Sequence, residues 1–164
     1  MLKIMEVLKE MSGMIGRLYS LSPKPENARI LTETHIIALI LMAQQANHAL
    51  PAGYQLDEYR IEHQLSLGGF SIVYLATDAH GHFVAIKEYL PNSLALRGEG
   101  EIKPLISDEH MPAFRYGMKC FFEEGRALAR LSHPNVIRVL NFFRANDTVY
   151  MVMEYEHGRT LQEF

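Results

Sequence analysis

Apolar positions recur along this chain with two different periods. In the first 18 residues Ile4, Leu8, Met11, Ile15 and Leu18 fall at intervals of three and four, the spacing of one helical face. The segment SLSPKPE at 20–26 carries two prolines and ends that helix. From 28 to about 47 a second, more apolar helical pattern follows. Two helices joined by so short a loop pack as a hairpin, and their apolar faces need a partner: each other, the following domain or a second chain. Residues 1–48 thus read as a helical amino-terminal extension.

Leu50-Pro51-Ala52-Gly53 punctuates the chain, and 49–164 form a second unit with a different period. Residues 59–65, 72–76 and 83–87 are short runs rich in branched and aromatic side chains, the composition of strands. The Gly-containing turn at 78–82 separates the last two, so the three predict an antiparallel meander. An irregular stretch, 89–112, leads to a helix over 115–131, with Phe121, Glu124, Leu128 and Leu131 on one face. His133-Pro134-Asn135 stops it. Two more strands, 136–143 and 148–153, flank a turn at 145–147. The expected fold is α+β: five antiparallel strands and one long helix, preceded by the helical hairpin.

Composition narrows the class. With 48% apolar and 21% charged residues the chain is an ordinary globular protein. A net charge of -3, without any basic block, argues against nucleic acid as a partner. The single cysteine, Cys120, builds no disulfide framework and fits a reducing cytoplasm, with a packing role on the helix. Eight histidines are present, but only His80 and His82 lie close together, without Cys or carboxylate partners at ligand spacing, so no metal site is expected. The longest apolar run, 36–43, is far short of the roughly 20 residues that span a bilayer, and acidic residues precede it, which argues against export or anchoring.

Two features suggest chemistry. Leu65-Ser66-Leu67-Gly68-Gly69-Phe70-Ser71 places small residues in a turn between two strands. There backbone N–H groups can approach phosphate oxygens without side-chain clash, although many hairpins carry a Gly-Gly turn. Lys87 ends the apolar run Val84-Ala85-Ile86-Lys87. Facing inward, its ammonium needs an anionic partner, with Glu124 and a phosphate as candidates; on a strand edge it would be a surface lysine.

Together these motifs resemble the signature set of protein kinases: glycine-rich loop, strand lysine and helix glutamate. Leu128-Ala129-Arg130-Leu131-Ser132-His133-Pro134-Asn135-Val136-Ile137 resembles the kinase stretch from the C helix into the fourth strand. Val149-Tyr150-Met151-Val152-Met153-Glu154-Tyr155 resembles the fifth strand and hinge. Leu50-Pro51-Ala52-Gly53-Tyr54 and Ile86-Lys87-Glu88-Tyr89-Leu90-Pro91 resemble a bacterial serine/threonine kinase subgroup. The resemblance covers about 50–164 and implies a kinase amino-terminal lobe.

It implies the following roles. Leu65 and the loop Ser66, Leu67, Gly68, Gly69, Phe70 and Ser71 cover the phosphates of ATP. Lys87 contacts the α- and β-phosphates and pairs with Glu124 as the catalytic pair. Val73 and Ala85 sandwich the adenine from above, Met153 is the gatekeeper, and the backbone of Glu154 and Glu156 binds the adenine edge. Leu128 and Val139 join the packed column between helix and sheet. In a full-length enzyme the implied reaction is phosphoryl transfer from ATP, with Mg2+, to protein serine or threonine. The sequence departs from the family pattern in three ways. Ser66 and Ser71 stand where the first and third glycines are usual. The long stretch before the helix leaves Glu123 as an alternative to Glu124, with the face pattern favouring Glu124. The catalytic-loop Asp and Asn and the Asp-Phe-Gly metal ligand have no counterpart in the chain, so these 164 residues alone are expected to be inactive, with apolar surface exposed beneath the hinge. The alternative is a non-catalytic, pseudokinase-like interaction module. In either case the partners expected are ATP, the missing carboxy-terminal lobe or a protein substrate, and a second copy through the helices of 1–48.

Overall fold

The computed structural model describes residues 47–131, 133 and 136–156; the expected helical hairpin lies outside the described residues. The described chain forms a six-stranded antiparallel sheet and a single α-helix. The strands are β1 (Gln55–Leu56), β2 (Tyr59–Leu67), β3 (Ser71–Thr77), β4 (Phe83–Tyr89), β5 (Val139–Ala145) and β6 (Thr148–Glu154), and the helix is α1 (Met111–Ala129). Their order across the sheet is β1-β2-β3-β4-β6-β5.

The count of five strands is corrected to six. The added strand, β1, has two residues and pairs back on β2 across Asp57 and Glu58, with Asp57 at φ 54° closing the hairpin. A two-residue strand is too short to show a period of two. The helix begins earlier than the expected 115, because Pro112 sits in its first turn, where a missing N–H costs nothing. It ends at Ala129 with Arg130 as cap, so Leu131 lies past the helix and is 55% exposed rather than on the packed face.

Register fixes which side chains share a face. Val73, Lys87 and Met151 lie opposite one another across β3, β4 and β6, and so do Leu75, Ala85 and Met153. With a period of two these six point to one face, the front. Helix α1 packs on that face through Phe114, Gly117, Met118, Phe121 and Gly125. Tyr89, also on the front, meets the rings of Phe114 at 5.2 Å and Phe121 at 5.7 Å. Ile72, Tyr74, Ile86, Glu88, Tyr150 and Val152 form the rear row.

The stretch after β4, which reads as irregular, covers the rear through Arg97. Arg97 is 0% exposed and forks onto Glu88, Nη1 donating to Oε1 and Nη2 to Oε2, each at 2.6 Å. Its other donors reach the Tyr74 hydroxyl, the Ile102 carbonyl and the His48 carbonyl. Glu88 also accepts the hydroxyls of Tyr74 and Tyr150 at 2.6 and 2.7 Å. All five guanidinium N–H groups and all four carboxylate lone pairs are therefore used.

Gly125 is where α1 approaches the sheet most closely. A methyl group built there would run into the Phe142 ring and come within 2.9 Å of Met151 Cε. Alanine favours helix by about 1 kcal/mol over glycine, but overpacking costs about 1–3 kcal/mol. Gly125→Ala is therefore expected to lower the unfolding free energy in denaturant titration; unchanged or raised stability would show that the ring yields freely.

Candidate functional site

Lys87 leaves β4 on the front face at the strand's carboxy-terminal end. It is 2% exposed, with its Nζ 5.6 Å from the centroid of the Phe121 ring on α1. Burial pushes its pKa down from 10.5 to about 8, and the charge of Glu124 opposes that fall. Burial likewise raises the pKa of Glu124, and Lys87 opposes that rise. Of the two candidate glutamates, Glu124 is half-buried and acts on Lys87, while Glu123 is exposed and lies 3.7 Å from Arg126. On both members of the Lys87–Glu124 pair, desolvation outweighs the mutual attraction.

The turn between β2 and β3 stands at the same end of the sheet. The Gly68 N–H donates to the Ser71 carbonyl at 2.9 Å, closing the turn. A second pair of backbone bonds fastens it from outside, the N–H of Leu90 to the Phe70 carbonyl and that of Asn92 to the Gly69 carbonyl. Leu67, Gly68 and Gly69 are exposed; Leu65, Ser66, Phe70 and Ser71 are half-buried. A Cβ at Gly69 would meet nothing within 4 Å, so the space over this turn is open.

Val73, Ala85 and Met153 share the front face with Lys87 and are 3%, 0% and 0% exposed. Apolar walls of this kind are stabilised when covered. Glu154 is half-buried, with its N–H bonded to the Arg138 carbonyl and its carboxylate 3.3 Å from the Arg138 guanidinium. Glu156 is exposed. Leu128 and Val139 are partly buried and pack against the core. Cys120 is a half-buried free thiol, and His80 and His82 are exposed in the hairpin that Asp78 closes by accepting their N–H groups. Among the described residues no group of three His, Cys, Asp or Glu side chains is placed to hold a metal ion, and no helix is long and apolar enough to cross a membrane.

Sequence reasoning did not single out Asn47, Glu88 and Arg97. Their partners lie across the sheet or dozens of residues away, and the only local signal was a charged residue at each of positions 87 and 88, which a period of two must send to opposite faces.

Comparison with known proteins agrees with this geometry. The family model described as the protein kinase domain matches residues 59–164. Serine/threonine-protein kinase PLK4 of Drosophila persimilis is 32% identical over 113 residues, which make up 68% of this chain and 12% of that protein. PLK4 of Drosophila melanogaster is 28% identical over 113 residues, with the same coverage. Among solved structures, PpkA-294 in its apo form superposes with a TM-score of 0.65 at 38% identity, covering 70% of this chain and 41% of that one. The chain belongs to the protein kinase family, and its fold is kinase-like. It spans about an eighth of the length of these curated relatives.

A lysine that titrates near 8 when folded and near 10.5 when unfolded has a definite pH signature. Between those values the unfolded chain binds more protons, so stability rises with pH. Relative to Lys87→Met, the wild-type chain is expected to gain roughly 2–3 kcal/mol between pH 8 and pH 10, as read by denaturant titration. A flat difference would mean that the amine is not desolvated.

Proposed function

We propose that this chain forms the ATP-binding lobe of a serine/threonine protein kinase, with residues 49–164 as the lobe and 1–48 as a helical extension. The observation that carries this reading is the buried ammonium of Lys87. It shares a sheet face with Val73, Ala85 and Met153, and lies within the electrostatic reach of Glu124. A desolvated ammonium is a group that phosphate oxygens can pair with, and the glycine turn at the same end of the sheet offers backbone N–H groups.

In this reading Lys87 holds the α- and β-phosphates, and Glu124 keeps the amine oriented from α1. Residues 65–71 cover the phosphates through their backbone. Val73, Ala85 and Met153 line the adenine, with the backbone of Glu154 and Glu156 at its edge. In the complete enzyme the nucleotide supplies the transferable phosphoryl group, together with Mg2+; no ligand for that ion is assigned to the residues described here. The proposed setting is cytoplasmic, and self-association through 1–48 belongs to the same proposal. Because the adenine walls are covered, binding has to open them, so affinity in the millimolar range is expected.

The same covered walls favour a second reading, a kinase-fold interaction module that does not bind nucleotide. Calorimetric titration with Mg-ATP separates the two. Weak binding that Lys87→Met abolishes supports the ATP-binding lobe. The affinity should fall as pH rises above about 8, because Lys87 loses its charge there, and binding above that pH should take up a proton from the buffer, so that the measured heat varies with the buffer's ionisation heat. Absence of binding at 10 mM nucleotide, on the order of the weakest affinity worth measuring, would leave only the interaction module. A polypeptide of these 164 residues should show no phosphotransfer turnover, since no side chain in it matches the family's catalytic base.

A further inference from the structure

We propose that Asn47 is a positioning residue: through one hydrogen-bonded hub it ties the glycine turn and the Lys87 strand to each other. The inference rests on the reading of Lys87 and residues 65–71 as the phosphate-binding groups. Asn47 is 2% exposed. Its Nδ2 donates to the Leu90 carbonyl at 3.3 Å, to Asn92 Oδ1 at 2.8 Å and to the Ala95 carbonyl at 3.2 Å, two hydrogens shared among three acceptors. Its Oδ1 accepts the N–H of Arg97 at 2.6 Å.

From this amide two routes run to the site. One passes through Leu90 and Asn92, whose N–H groups hold the carbonyls of Phe70 and Gly69 in the glycine turn. The other passes through Arg97 to Glu88, the residue after Lys87 on β4, and to Tyr74, the residue after Val73 on β3. The neighbouring backbone reinforces the hub: the His48 N–H donates to the Arg97 carbonyl, Arg97 Nε to the His48 carbonyl, and the Leu50 N–H to the Tyr74 hydroxyl. Residues 47–50 precede the segment matched by the family model, 59–164. The hub is thus tied by residues outside the matched kinase segment.

The test is made on the full chain and needs no nucleotide. In Asn47→Ala, amide hydrogen exchange at Leu90 and Asn92 should quicken at least about tenfold more than at Ile86 and Val152 in the middle of the sheet. Competitive acetylation across pH would give the midpoint of Lys87. Among the described residues its surroundings are Glu124 and Phe121 of α1, Val73 of β3 and Met151 of β6, so Glu124 is the charged group that faces it. Loosening the hub admits water, and the midpoint should rise by about one unit, which cuts the reactive fraction at pH 8 from about half to about a tenth. Exposed Lys103 serves as the internal control. Asn47→Asp, which keeps the acceptor and loses the donors, should not rescue. If Asn47→Ala fails to fold, exposed Asn92→Ala removes a single side-chain bond of the hub and should show the same selective exchange to a smaller degree. Uniform loss of protection across the sheet with an unmoved Lys87 midpoint would reduce Asn47 to general structural support and overturn the proposal, as would no change in either. A chain that fails to bind ATP but shows both effects overturns the proposed function and not the hub.

Discussion

The structure turns on an amine held in a place where water cannot reach it. Burial drives Lys87 toward its neutral form, and the one charged group facing it among the described residues, Glu124, is itself pushed toward neutrality by the same burial. An ion pair in full balance would show each partner held in its charged form. Here both lean the other way, so the attraction between them falls short of the solvation each has lost. What results is an amine with a lowered pKa, set toward the end of a strand and at the same end of the sheet as the glycine turn.

The opposite face of the same strand is built on the contrary principle. Glu88 follows Lys87 and, by the two-residue period, points to the rear. There its carboxylate meets a guanidinium and two tyrosine hydroxyls, with every donor and acceptor used. Burial alone would lower the pKa of Arg97, yet the hydrogen bonds and charge of Glu88 outweigh it and the net shift is upward. Burial, reinforced by the charge of Glu88, raises Tyr74 and Tyr150 and keeps both hydroxyls as donors. A saturated network of this kind holds one arrangement of β3, β4 and β6, since any slippage would strand a buried polar group. Rigidity behind the strand fixes the position of the buried amine in front of it.

How much of this was legible in the sequence follows from the range of each interaction. The strands of the meander announce themselves through branched and aromatic runs, and Lys87 through a charge at the end of such a run. Glu124 was legible from its phase with Phe121 and Leu128 on the helix. Pro112 looked like part of the preceding loop because a proline in a first turn and a proline in a coil read alike until the helix is seen. β1 is too short for any period. Arg97 sits among Leu96, Gly98 and Gly100 with nothing nearby to say that it is buried; its partner Glu88 is on the far side of a chain reversal, and its bond to Asn47 spans fifty positions. A buried polar residue is recognised by its partners, and those partners were not local.

The segment matched by the family model and the hydrogen-bonded unit therefore differ in extent. The family model begins at Tyr59, where the second strand starts. Among the described residues the hydrogen bonds of this unit already include Asn47, twelve positions earlier. Cutting the chain at the family boundary would leave Arg97 without the His48 carbonyl, the Tyr74 hydroxyl without the Leu50 N–H, and the carbonyls of Leu90 and Ala95 without the Asn47 amide. Each is a buried group deprived of a partner, and buried groups left unpaired cost more than the bonds themselves contribute. Residues 47–50, ahead of the segment matched by the family model, are accordingly part of the lobe's physical unit, and they enter it at the loop which braces both the glycine turn and the lysine strand.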